Sequence, residues 1–278
     1  MRIGPAVPSL GASESIKGGV PRNGWVELLG KGNVFTRLKH RLALFMEKRR
    51  SAMSVSHQEA MKWYELRKES YEALITAVTP YVKQDAVVFD IGANVGFFSR
   101  LLAEKIGFKG SMYLFEPLPH LASLCEETFR DVSYDAHVFN YGLSDSDAEV
   151  DIFVASNGNL GWNTIIQSKA SDDMERVRIQ LKHFETCKPE AVPTFIKIDV
   201  EGSEYLVLRG MLDSLRAWPQ RPVILCEVGW GTSHPQWDEE LAVFNELKTI
   251  GYTFCDLEGS AIDETSISRT TDVLLIPS

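Results

Sequence analysis

Residues 87–99, VVFDIGANVGFFS, join a short apolar strand to a helix through a turn with two glycines, and no other run in the chain limits the fold as tightly. A strand this uniformly apolar is buried on both faces, which is the condition of a parallel sheet covered by helices. Strand-like runs recur at 86–91, 111–115, 137–143, 194–200, 222–228, 252–256 and 272–277, with helical patterns between most of them. This alternation predicts an α/β sheet with right-handed crossovers. About fifty residues between the third and fourth of these strands, roughly 145–193, break the alternation. They hold two more strand-like runs, 149–154 and 176–181, around the polar segment SNGNLGWNT. An insertion there is expected over the carboxyl edge of the sheet, where open α/β sheets bind ligands.

The chain before residue 86 reads differently. Residues 1–32 are rich in Gly, Pro and Ser without apolar periodicity, and Val34, Leu38, Leu42 and Phe45 then mark a basic amphipathic helix over 34–50. That helix packs on the domain with a solvated basic face, or meets a membrane surface or a partner. A second helical pattern runs over 56–82. The expected division is a basic N-terminal arm, 1–55, and a main domain, 56–278. Charge is divided the same way: residues 1–60 hold ten basic against four acidic residues, within a chain of net charge -9. So acidic a body argues against nucleic acid as a partner. No run reaches the ~20 apolar residues of a membrane span, and the first residues lack the apolar core of a secretory signal. Cys125, Cys187, Cys226 and Cys255 form no C-x-x-C pair, so the expected setting is a reducing one, the cytoplasm.

The turn G-A-N-V-G, with Gly92, Ala93, Asn94 and Gly96, is built for a ligand at the amino end of a helix. It is not the G-x-G-x-x-G of dinucleotide sites, and Asp90 just before it would repel a pyrophosphate. Such an acid suits a turn holding a zwitterionic amino acid and a sulfonium, as in S-adenosylmethionine. Glu116, at the end of YLFEP, stands where Rossmann-like folds place an acid on ribose hydroxyls, and Pro117 ends that strand. By topology, Tyr141–Ser144, including Gly142 and Leu143, lie beside the adenine.

In IKIDVEGSE, Lys197 and Asp199 are two residues apart on one strand and so share a face, with Glu201 and Glu204 beyond. Lys197 serves either to neutralise neighbouring carboxylates or to tune Asp199 as the group that orients or deprotonates an acceptor. Glu227 ends the next strand at the same edge. Two such acids can hold Mg²⁺, Mn²⁺ or Ca²⁺ through oxygen, and the metal question stays open at this level. His234, in the loop GWGTSHPQW, ranks ahead of His183, His120, His137, His40 and His57 as a candidate base. Trp162 and Trp230 are balanced between stacking on a sugar ring and packing; Trp237 is expected to pack.

DIGANVGFFS, YLFEP and IKIDVEGSE together resemble the FkbM-like S-adenosylmethionine-dependent methyltransferases, over roughly residues 87–257. The resemblance implies a Rossmann-like class I fold, a doubly wound seven-stranded sheet with an antiparallel last strand, behind an N-terminal helical extension. It also implies O-methylation of a hydroxyl on a sugar, glycan or natural product. The cofactor would lie against Asp90, Gly92, Ala93, Asn94, Gly96, Glu116, Pro117, Gly142 and Leu143. Catalysis would fall to Asp199, Lys197, Glu227 and His234. The segment LKHFETC, residues 181–187, departs from the L-D-D-type segment usual in that family and leaves the acceptor open. Two other readings compete: a nicotinamide-dependent Rossmann oxidoreductase, and a non-catalytic glycan-binding or scaffold protein on the same fold.

Overall fold

A computed structural model describes residues 54–155, 160, 163–171 and 174–278. The basic helix expected at 34–50 and Trp162 fall outside these residues. In chain order the elements begin with helices α1 (His57–Glu65) and α2 (Lys68–Val78), then β1 (Val87–Ile91), α3 (Phe97–Ile106), β2 (Ser111–Phe115) and α4 (Pro119–Thr128). Strands β3 (Asp135–Phe139), β4 (Gly142–Ser144), β5 (Ala148–Val154), β6 (Asn163–Thr164) and β7 (Glu175–His183) follow, and then the short helix α5 (Phe184–Cys187). The last part is β8 (Phe195–Ile198), α6 (Glu204–Ala217), β9 (Val223–Val228), α7 (Trp237–Thr249), β10 (Tyr252–Cys255) and β11 (Thr271–Pro277).

Seven strands form one sheet in the order β10-β11-β9-β8-β1-β2-β3. Strand β11 runs antiparallel to both its neighbours, and the other pairs are parallel. The sheet is therefore the expected doubly wound one, with the last strand reversed. Alternation along β1 sends Phe89 and Ile91 toward α6 and α7, where they meet Leu208, Met211 and Phe244, and sends Val88 toward α2 and α3, where it meets Ile75, Val78 and Leu102. Both faces are thus buried, which is why β1 and its neighbours carry so few polar residues.

The insertion makes a second sheet, β4-β7-β5-β6, in which β7 pairs antiparallel with the whole of β5. Here the single strand expected over 137–143 divides. Strand β3 stops at Phe139, and Asn140 donates its side-chain amide to the carbonyls of Glu116 and Pro117. The chain then leaves the main sheet, and Gly142 opens β4 against β7, where a Cβ would stand 2.6 Å from Leu181 Cδ2. The helical pattern at 56–82 also divides. Helix α1 starts in a capping box between Ser56 and Glu59 and ends at Leu66, after which Arg67 turns back over the Trp63 ring at 3.6 Å. Helices α1 and α2 then dock through Tyr64, which stacks on Phe97 and meets Tyr71 edge-on. Among the described residues, no helix is long and apolar enough to cross a membrane.

Candidate active site

The turn after β1 is fixed first by its backbone. Gly92 and Ala93 donate to the Phe115 carbonyl, both at 3.0 Å, so the turn is tied to the end of β2. Gly92 has φ +79°, and a Cβ there would fall 1.8 Å from the Asp199 carbonyl oxygen. Only glycine lets β1 and β8 run out side by side at this point. Gly96, at φ +78°, starts α3, and a Cβ would fall 2.4 Å from the Phe129 ring. Gly96 was expected to let a ligand approach; the structure gives it to helix packing instead, and it does not line the cavity described below.

Asp90 also moves from its expected place. It is 1% exposed, accepts from Ser99 Oγ at 2.6 Å and pairs with Lys197 at 3.3 Å. It anchors the turn from beneath and does not face the cavity, because its strand position points into the layer between sheet and α3.

Beyond the turn lies a cavity of about 210 Å³. One end is formed by Gly92, Ala93, Asn94, Glu116, Pro117 and the β4 residues Gly142 and Leu143. Glu116 accepts from the backbone N–H of Asn94 and of Leu118, both at 2.9 Å. Burial pushes its carboxyl up to about 7 against the pull of those two hydrogen bonds. Asn94 holds its left-handed backbone, φ 53°, by donating its side chain to the Leu160 carbonyl of the insertion.

The other end carries the acids. Lys197 Nζ lies 3.3 Å from Asp199 Oδ2 and donates to the Gly92 carbonyl at 2.9 Å. Burial alone would lower the Lys197 pKa, but Asp199 and Asp90 raise it, so the ammonium persists. Asp199, Glu201 and Glu227 each bring a carboxylate oxygen within 4.8 Å of the other two. Burial and then the Asp199 charge push both Glu201 and Glu227 up. Glu201 sits at φ 55°, an uncommon backbone for a glutamate, and the following Gly202 is left-handed as well. Glu204, at the start of α6, accepts from the N–H of Val200 and Gly202 and so shapes this loop from below. Thr164 of β6 ties it from above by donating to the Glu201 carbonyl.

The roof comes from the N-terminal helices and the insertion: Tyr64 and Tyr71, with Ile152, Ile165, Ile179 and Leu181. Ile152, Ile165, Ile179 and Leu181 of the insertion thus line the same cavity as Gly92, Glu116, Asp199 and Glu227 at the strand ends. Tyr64, Tyr71 and Glu201 were not singled out from the sequence as site residues. Glu201 was visible inside DVEGSE, but nothing in the string says that its backbone turns left-handed toward Asp199.

His234 corrects the expectation of a base facing the acceptor. The ring is buried, its Nε2 pairs with the Gly202 carbonyl at 2.8 Å, its Nδ1 accepts from the Gln236 N–H, and it does not line the cavity. Burial lowers its pKa, consistent with a neutral ring that donates at Nε2 and accepts at Nδ1. Trp230 stacks on this ring and covers Gly202, whose Cβ would meet it at 2.1 Å, so it packs. Trp237 packs edge-on against Phe244.

The family model for the methyltransferase FkbM domain matches residues 90–254. A hexuronic acid methyltransferase, AglP of Haloferax volcanii, is 26% identical over 169 residues, which are 58% of this chain and 64% of that protein. The AMB antimetabolite synthetase AmbE of Pseudomonas aeruginosa is 37% identical over 65 residues, 23% of this chain and 3% of the synthetase. The crystal structure of methyltransferase FkbM from Methylobacillus flagellatus KT aligns with a TM-score of 0.48 and 16% identity, covering 70% of this chain and 44% of that one. The chain thus spans less than two thirds of the length of each of these relatives.

Proposed function

From the premise that this chain belongs to the FkbM methyltransferase family, which the match over residues 90–254 establishes, we propose that it is an S-adenosylmethionine-dependent O-methyltransferase acting on a hydroxyl of a sugar, glycan or natural product. The observation that carries this reading is the cavity itself. It joins Glu116, a carboxylate at the end of β2, to Asp199 at the end of β8, with the glycine turn between them.

The residues present suit the cofactor. Glu116 offers the acceptor oxygens a ribose diol needs, Pro117 and Leu143 offer an apolar side to the adenine, and the turn at 92–94, whose N–H groups are taken by Phe115 and Glu116, offers carbonyl oxygens to the ammonium of the amino-acid part. When bound, S-adenosylmethionine supplies a sulfonium methyl that a hydroxyl oxygen can take. Asp199 accepts the hydroxyl proton as that oxygen becomes the nucleophile, and Lys197, held between Asp90 and Asp199, keeps the carboxylate aimed. The apolar roof of Ile152, Ile165 and Ile179 keeps water from competing for the methyl.

The hexuronic acid named for the Haloferax relative supports a sugar-type acceptor here. The same reading takes 56–278 as the catalytic domain, with 145–193 shaping the acceptor side, and places the protein in the cytoplasm, where its four free cysteines stay reduced. Transfer of radiolabelled methyl from S-adenosylmethionine to neutral hexosides and hexuronates, followed by mild alkali, tests the chemistry. Label that survives alkali is an ether and supports the proposal. Label released by alkali is a carboxyl ester and would replace hydroxyl methylation with carboxyl methylation.

A further inference from the structure

The acceptor end of the cavity is more acidic than a sugar hydroxyl requires. Lys197 is the one cationic side chain among the described residues lining it, and it is already engaged by Asp90, Asp199 and the Gly92 carbonyl. Asp199, Glu201 and Glu227 therefore face one another across at most 4.8 Å, and this one lysine, which Asp199 shares with Asp90, is the single cation lining the cavity with them among the described residues. A second observation stands apart from the acids. Ser203 is the N-cap residue of α6, where a serine hydroxyl ordinarily bonds the first turn of the helix, yet it makes no capping bond. It is 6% exposed, lines the same cavity, and its Oγ has no hydrogen-bond partner. A buried hydroxyl left unmatched in this way costs folding energy unless a ligand takes it up.

We propose that Asp199, Glu201 and Glu227 bind one hard divalent cation, Mg²⁺ or Mn²⁺, with Ser203 Oγ joining directly or through a coordinated water. The donor set is oxygen only, with no thiol or imidazole among the four, which selects these ions over zinc. Oxygens on opposite sides of such an ion stand about 4 to 5 Å apart at ordinary metal–oxygen lengths, so the observed spread needs only small side-chain adjustments. The left-handed Glu201 backbone and the Glu204 hydrogen bonds that fix its loop hold the third carboxylate in place beforehand. On the methyltransferase reading, on which this role rests, sites left open on the ion accept the acceptor's hydroxyls. The ion then lowers the acidity barrier that Asp199 would otherwise face alone.

The test is Mn²⁺ titration of the full chain, followed by electron paramagnetic resonance, with S-adenosylhomocysteine binding measured on the same samples by calorimetry. Wild type should bind one Mn²⁺, displaceable by Mg²⁺, and Glu201→Gln should bind it at least tenfold more weakly while still binding S-adenosylhomocysteine. Glu227→Gln serves the same purpose should Glu201→Gln fail to fold. Absence of Mn²⁺ binding by wild type at millimolar ion, or equal affinity in the folded variant, overturns the cation site. Loss of S-adenosylhomocysteine binding with Mn²⁺ binding intact would instead overturn the methyltransferase reading.

Discussion

Asp90 and Lys197 are register partners on adjacent parallel strands, and the Lys197 ammonium lies 3.3 Å from the Asp90 carboxylate in the closed layer beneath the glycine turn. Two residues further along, at Gly92 and Asp199, both strands have ended, so this ion pair lies just beneath the point where the cavity begins. The Lys197 ammonium reaches past it to Asp199 on the open side.

Lys197→Met removes the cation that both aspartates share and leaves Asp90 charged and buried. Losing one partner of a buried pair costs about 3–5 kcal/mol, and urea unfolding should register a loss of that order. A change below about 1 kcal/mol would mean that the pair is solvated in solution, as exposed pairs are.

Asp199→Asn keeps the side-chain shape and removes the carboxylate proposed to accept the hydroxyl proton. S-adenosylhomocysteine affinity should stay within a few-fold of wild type while methyl transfer falls by about 10²-fold or more. Near-normal turnover would show that another group takes the proton.

The strand ends were legible in the string because period two and parallel topology bring Glu116, Asp199 and Glu227 to one edge whatever the loops do. Three features were not. Asp90 looks like a ligand of the turn, yet its strand position turns it inward to Ser99 and Lys197. Tyr64 and Tyr71 carry only a helical spacing; their place in the roof depends on how two helices dock on Phe97, far along the chain. The break between those helices falls at Leu66-Arg67, with no glycine or proline to announce it. His234 sits in the loop after β9, but the Gly202 carbonyl, four residues past the end of β8, captures its ring and turns it from the cavity.

Glu240 is buried on α7, and one of its carboxylate oxygens has no partner. Burial first, and then Glu204, push its pKa up to about 8. The folded chain thus keeps a proton that the unfolded chain releases near the ordinary value. Its contribution to stability is full below that ordinary value and is lost as pH rises through about 8. Glu240→Gln should therefore stabilise the fold at pH 8–9 by about 1–3 kcal/mol and flatten the decline seen in wild type. Equal stability of the two chains across pH 5–9 in urea unfolding would refute the buried-charge assignment.

On the proposed methyltransferase reading, Glu116 gives cofactor binding a pH dependence. Its carboxyl is held up to about 7, so acidification through that value converts an acceptor of two O–H groups into a neutral acid. S-adenosylhomocysteine affinity should weaken as pH falls from 8 to 6, by at most about tenfold per unit, and the slope should vanish in Glu116→Gln. A wild-type affinity that is flat over this range would place the ribose elsewhere.

The most direct measurement is calorimetric titration of S-adenosylhomocysteine into wild type and into Glu116→Ala, with NAD⁺ as the competing ligand. Wild type should bind S-adenosylhomocysteine, NAD⁺ should give no heat, and the variant should lose about 1.5–3 kcal/mol from the missing charged hydrogen bonds. Equal affinity in the two chains, or binding of NAD⁺ in place of S-adenosylhomocysteine, would contradict the cofactor assignment.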